Sequence, residues 1–163
     1  MSRLDSMIRR LSAQRDILNH VADDLGLPET GDILEIGLGN GRTYSHLRER
    51  FPDRRAIAFD RADRAHKSSS PAPEDFVEGE IEYTARAFVG LEASLVHADI
   101  GQGYPERDAI TLRWLPGLVA DLLAPGGIAV SGLPLADRRL GPLPLPAGIA
   151  PDRYFLYRRS GPA

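Results

Sequence analysis

The chain has 163 residues, 42% of them hydrophobic and 26% charged, with a net charge of -3 and no cysteine. That length suits one domain with a substantial core, and the composition excludes a disordered or fibrous protein. The missing cysteines exclude disulfides, thiolate metal sites and cysteine nucleophiles, and the acidic balance gives no general attraction to a polyanion.

Residues 3–25 carry Leu4, Met7, Ile8, Leu11, Ile17, Leu18, Val21, Ala22 and Leu25 at three- and four-residue intervals. This predicts an amphipathic helix, or two, closed by Gly26 and stopped by Pro28. The opening run MSRLDSMIRRLSAQRD has no apolar signal core, and no stretch is long enough to span a membrane. The expectation is a soluble cytoplasmic protein without membrane contact. Ile33, Leu34, Glu35 and Ile36 then read as a strand buried on both faces. A helix with Tyr44, Leu47 and Phe51 on one face follows, ending at Pro52. Residues 55–59 form a second strand closed by Asp60, and residues 62–67 a short helix before the breaker-rich loop of residues 68–73. Residues 75–78 predict a brief third strand, 81–91 a helix, and 93–98 a fourth strand ending at Asp99. Residues 107–123 are helical, but Pro116 requires a kink or a division into two. A Pro125-Gly126-Gly127 turn leads to a fifth strand at 128–131. Residues 154–157 are a candidate sixth, after a segment with Pro134, Pro142, Pro144 and Pro146 that reads as a surface loop. Strands alternating with helices predict an α/β fold, a doubly wound and mostly parallel sheet with helices on both faces. One domain is expected, with residues 1–28 as a helical cap, 32–132 as the core and 133–163 as a proline-rich loop and terminal strand.

The most informative run is Glu35-Ile36-Gly37-Leu38-Gly39-Asn40-Gly41, which follows a strand and opens a helix. Glycines there allow positive φ and let a ligand approach main-chain N–H groups beside a helix N-terminus. The dinucleotide fingerprint requires a sixth-position glycine. That position is Arg42, and no Tyr-x-x-x-Lys pair is recognisable, which argues against a nicotinamide-dependent oxidoreductase.

The loop, with an acidic residue two places before its first glycine, resembles motif I of class I S-adenosylmethionine-dependent methyltransferases, whose fold is Rossmann-like. Asp60 at the end of the second strand, Gly79-Glu80-Ile81 after the third, His97-Ala98-Asp99 at the fourth, and Leu122-Leu123-Ala124-Pro125-Gly126-Gly127 before the fifth resemble the family's later motifs, in order. The resemblance covers roughly residues 32–132. It implies S-adenosyl-L-methionine as cofactor, bound by Glu35, Gly37, Leu38, Gly39, Asn40, Gly41, Asp60, Arg61, Glu80, Ile81 and Asp99. Glu35 would meet the methionyl ammonium, often through water, Asp60 the ribose hydroxyls, Glu80 the adenine amino group, and Ile81 the ring. Asp99 would lie beside the transferring methyl, and His97, two residues earlier on the strand, is a candidate base with it, although core packing is the plainer reading of His97.

The resemblance implies a methyltransferase. The acidic balance, the absence of an N-P-P-Y type motif after the fourth strand, and short scattered basic clusters such as Arg9-Arg10 and Arg138-Arg139 favour a small-molecule acceptor over nucleic acid. The alternative is a non-catalytic module that binds the cofactor or a partner. No metal site is expected, since His20, His46 and His66 lie apart on helix surfaces and thiolates are missing. Tyr44 and Trp114 are expected to pack, and the N-terminal helix either covers the sheet or joins two subunits.

Overall fold

The computed structural model describes residues 1–161. Helix α1 (Arg3–His20) begins with a reciprocal cap in which Asp5 N–H donates to Ser2 Oγ while Ser2 N–H donates to the Asp5 carboxylate. It runs on into a wide turn, Val21–Leu25, that Gly26 closes by donating its N–H to the Val21 carbonyl at φ +69°. The sheet then alternates with helices: β1 (Ile33–Ile36), α2 (Arg42–Arg50), β2 (Ala56–Asp60), β3 (Phe76–Glu78), α3 (Ile81–Thr84), β4 (Ala93–Ala98), α4 (Pro105–Thr111), α5 (Leu115–Leu122), β5 (Leu123–Ser131), β6 (Leu140–Pro142) and β7 (Phe155–Arg159).

The strand order is β3-β2-β1-β4-β5-β7-β6. The first five are parallel, and β7 inserts antiparallel to both β5 and β6. Side chains alternate across each central strand, so every strand feeds two cores. Leu34, Ile36, Ile57, Phe59, Val96 and Ala98 face the layer of α5 (Leu115, Leu118, Val119, Leu122). Ile33, Ala56, Ala58, Leu95, Ile128 and Val130 face the layer of α1 and α2 (Ile17, Leu18, Val21, Tyr44, Leu47). The chain leaves β1 towards β2 on one side and reaches β4 on the other, so the carboxyl end of β1 is the sheet's switch point, where open α/β sheets form their crevice.

Four elements differ from the expectations. The fifth strand, expected at 128–131, begins at Leu123, and the Pro125-Gly126-Gly127 turn is an irregularity within its pairing to β4. Residues 62–67 form turns instead of a helix, because His66 N–H goes to the Asn40 carbonyl and Asp63 accepts from Ala65 N–H and the Ser70 hydroxyl. The helix expected over 81–91 is one short turn of α-helix followed by a tighter turn at Ala85–Phe88, with Val89 extended and Gly90 at φ +89°. The proline-rich segment holds a short edge strand, β6, whose Pro142 is tolerated at the margin of a sheet. The division at Pro116 occurs as expected: Pro116 sits in the first turn of α5, where its missing N–H costs nothing.

Candidate active site

The loop between β1 and α2 is shaped by three glycines in the left-handed region, Gly37 (φ +92°), Gly39 (φ +54°) and Gly41 (φ +82°). Two of them are fixed by crowding. A Cβ on Gly37 would come within 2.5 Å of Ile100 Cγ2 and 3.1 Å of the Asp99 carbonyl, and one on Gly41 within 2.9 Å of the Ser69 carbonyl. Gly39 is different, because nothing lies within 4 Å of its Cβ position, so its surface is open to a ligand.

Gly39 borders a cleft of about 540 Å³ lined by Gly37, Asp60, Arg61, Glu80, Ile81, Asp99 and Trp114, among others. A second cleft, about 290 Å³, lies against α1 and shares Gly37, Gly39 and Asp99 with the first; Arg10, Gln14, Leu38, Asn40 and Thr43 line it. Together they form a channel that crosses the glycine loop and passes Asp99. Asp60 ends β2 with Oδ2 accepting from Gly39 N–H (3.0 Å) and Oδ1 from Arg61 N–H (2.7 Å). Glu80 pairs with the Arg61 guanidinium at 3.0 Å on the exposed rim. A carboxylate at the end of β2, an apolar Ile81 beyond it and an uncovered glycine loop suit a nucleoside, since vicinal hydroxyls can both donate to one carboxylate. These features fit the expected cofactor.

Asp99 reaches α1 through both oxygens: Oδ1 accepts from Arg10 Nη2 at 2.6 Å and Oδ2 from Gln14 Nε2 at 2.7 Å. Behind it lies a buried polar chain. Gln14 Nε2 also donates to Tyr154 Oη (3.1 Å), Tyr154 Oη pairs with His97 Nε2 (2.8 Å), and His97 Nδ1 pairs with Glu35 Oε1. Glu35 and His97 are register partners on β1 and β4, both fully buried on the α1 side of the sheet. Burial pushes the Glu35 carboxyl up, opposed by His97. Burial pushes His97 down, but the adjacent Glu35 carboxylate, with Asp99, outweighs it and holds His97 up. Each therefore holds its proton more tightly than the free group does, and the two titrate as a unit. Burial also drives the Tyr154 hydroxyl up, so it remains protonated.

Of the residues expected from the sequence, Gly37, Gly39, Asp60, Arg61, Glu80, Ile81 and Asp99 line the larger cleft, and Leu38 and Asn40 the smaller one. Gly41 packs beneath, against Ala65 and Ser69. Two expectations need correction. His97 is sealed from both clefts with each ring nitrogen already paired, which leaves it no means of taking a proton from an acceptor. Glu35 is likewise fully buried and lines neither cleft, so of the direct and water-bridged contacts expected with the ammonium it is not placed for the direct one. Among the described residues its Oε2 has no hydrogen-bond partner. Tyr154 and Trp114 were not anticipated at the site, and Arg10 and Gln14 were so only as part of the N-terminal helical segment that the resemblance lays over it. The available signal was helical phase: Gln14 falls on the stripe of Ile17, Leu18 and Val21, and Arg10 lies one turn before it.

Among the described residues no group of histidine and carboxylate side chains could hold a metal ion, and no helix is long and apolar enough to cross a membrane. Residues 1–159 match the model of a family described as S-adenosyl-L-methionine methyltransferase. No relative is found among curated proteins. Among solved structures, an S-adenosyl-L-methionine methyl transferase from Silicibacter pomeroyi DSS-3 is 39% identical, with 98% of this chain and 99% of that one covered and a TM-score of 0.88. The antibiotic-resistance methyltransferase Kmr (15% identity, 93% and 92% covered, TM-score 0.57) shares the fold. So does a 16S rRNA (adenine(1408)-N(1))-methyltransferase from Catenulisporales acidiphilia with cosubstrate SAM (14% identity, 96% and 92% covered, TM-score 0.53). With residues 1–159 matched by the family and a solved relative 39% identical over 98% of this chain, the protein belongs to the S-adenosyl-L-methionine methyltransferase family and is an enzyme that uses that cofactor.

Proposed function

We propose that this methyltransferase acts on a small molecule in the cytoplasm. The observation that carries the reading is the net charge of -3, with, among the described residues, seven of the twenty lysines and arginines paired inside the chain. Arg10, Arg15, Arg50, Arg55, Arg61, Arg86 and Arg139 each face a carboxylate of the chain itself. A phosphate backbone is held by unneutralised lysine and arginine, and pairing of this kind, with a net charge of -3, works against it. The absence of cysteine agrees with a reducing compartment.

In this reading the glycine loop and Asp60 hold the nucleoside, with Glu80 and Ile81 at the adenine end. Once bound, the cofactor supplies a methyl group on a sulfonium, already electrophilic. The chain's contribution is then alignment and exclusion of water. Helix α1 walls the channel, and Asp99 fixes α1 through Arg10 and Gln14. Asp99, which accepts from α1 at both oxygens, serves as a positioning group.

Fold neighbours that act on rRNA supply the second reading. Incubation with methyl-tritiated S-adenosylmethionine, in parallel with a low-mass metabolite extract and with purified rRNA, separates the two. Label is expected in the low-mass fraction and is expected to vanish with Asp60→Ala; label in the rRNA would overturn the proposal.

A further inference from the structure

Helix α1 packs on the sheet through its second half alone. Ile17 and Leu18 are fully buried and Gln14 is 3% exposed, whereas Met7, Ile8 and Leu4 are 48%, 53% and 69% exposed. The first two turns therefore overhang the molecule, and the reciprocal Ser2–Asp5 cap holds them as formed helix. A solvated helix face is ordinarily polar, but this one is apolar. Leu4, Met7 and Leu11 follow one another at steps of three and four on the stripe that continues to Gln14, and Ile8 lies one turn after Leu4. Met7 and Leu11 also line the smaller cleft, so the apolar stripe begins inside the channel and runs outward along the helix. At its inner end the groups are polar, with Arg10 and Gln14 on Asp99.

We propose that this stripe seats the methyl acceptor and that the acceptor is an amphiphile, its nucleophilic heteroatom inside the channel and its apolar body along Leu4, Met7 and Ile8. In the transfer, a lone pair of that heteroatom bonds to the methyl carbon, the carbon–sulfur bond breaks with its electrons passing to sulfur, and the acceptor's proton goes to solvent. A second copy of the chain is a poorer occupant. A stable dimer buries roughly 800 Å² on each side, more than one stripe of apolar side chains on two helical turns offers, whereas the apolar body of a small molecule needs no more than this. Continuity points the same way: Met7 belongs both to the stripe and to the cleft, so a macromolecule docked on the stripe would cover the channel's mouth. The inference rests on the small-molecule reading above and adds to it the chemical class of the acceptor.

The test follows tritium from methyl-labelled S-adenosylmethionine into a low-mass metabolite extract and partitions the product between water and octanol. Label is expected in the octanol. Straight-chain alcohols from hexanol to decanol, used as probes, are expected to inhibit the transfer with a potency that rises about three- to four-fold per carbon, the value of one buried methylene. Leu4→Glu and Ile8→Glu should flatten this dependence on chain length and lower the transfer by about ten-fold or more. Their calorimetric affinity for S-adenosylhomocysteine, the demethylated cofactor product, should stay within about two-fold, which reports that the variants are folded. Low-mass label that remained in the water, or inhibition independent of chain length, would overturn the amphiphile and leave the small-molecule reading standing. So would a dimer in sedimentation that the variants reduce to a monomer, or binding to phosphatidylglycerol vesicles that they abolish, since either gives the stripe another occupant. Label in rRNA would remove the small-molecule reading itself, and this inference with it.

Discussion

A carboxylate and an imidazole side by side in a sheet interior carry a pH signature. Glu35 and His97 both bind their proton more tightly in the folded protein than their ordinary values of 4.5 and 6.5 imply. The native state thus holds protons that the unfolded chain releases. The stability this contributes is complete below the unfolded values and is lost as pH rises through the folded ones. Urea midpoints should therefore decline as pH is raised above about 4.5, and further above about 6.5. In Glu35→Gln the largest remaining influence on His97 is burial, which pushes it down and outweighs Asp99. A depressed histidine adds stability at high pH and loses it as pH falls, so the slope of stability against pH near neutrality should change sign. An unchanged slope would mean that the pair does not hold the proton. Removing one partner is a harsher change: His97→Ala strands a buried carboxylate and should cost about 3–5 kcal/mol in denaturant titrations.

The glycine loop separates two kinds of glycine, and their substitutions should part accordingly. Gly37→Ala drives a Cβ against the Ile100 side chain and the Asp99 main chain at positive φ, for which about 1–3 kcal/mol of lost stability is expected. Gly39→Ala meets no protein atom, so its strain should be about 1–2 kcal/mol, while S-adenosylhomocysteine, brought against the new methyl, should bind more weakly. If Gly39→Ala left that affinity intact, the open surface of the loop would not be where the cofactor lies.

Much at this scale was legible in the chain itself. The central strands announce themselves as short apolar runs, and Asp60 and Asp99 stand at their carboxyl ends because the motif order sets the sheet order. What was not legible depended on partners distant in sequence. Strand β6 is three residues long and exists because β7 pairs with it. Residues 62–67 have helical composition, yet Gly41 packs so closely on Ala65 and Ser69 that the segment bends to fit the loop. Arg10 reads as solvated surface, and only the return of β4 beside β1 brings Asp99 under it. His97 looked usable as a base because its strand position is right, and its two partners come from β1 and from the residue preceding β7.

At the level of the whole molecule, the two sides of the sheet share every central strand, so neither core can form without the other. Ile33 and Leu34 are neighbours on one strand, yet one packs under α1 and the other under α5. The buried chain from Glu35 to Gln14 joins β1, β4, the start of β7 and α1, which links the helical cap and the terminal segment to the centre. We therefore expect one cooperative unit, with residues 1–28 and 133–163 as parts of the same domain. Trp114, the single tryptophan, packs against the α5 side, whereas the buried Tyr44 and Tyr154 report the α1 side. Tryptophan fluorescence, near-ultraviolet tyrosine signals and far-ultraviolet dichroism should give coincident unfolding curves. A saturating cofactor product should move all three together by the amount that its own affinity dictates, close to 2.7 kcal/mol at a hundred times the Kd. A fluorescence transition that separated from the tyrosine signal, or moved alone when ligand was added, would show that the two faces unfold independently and that the cap is not part of the core.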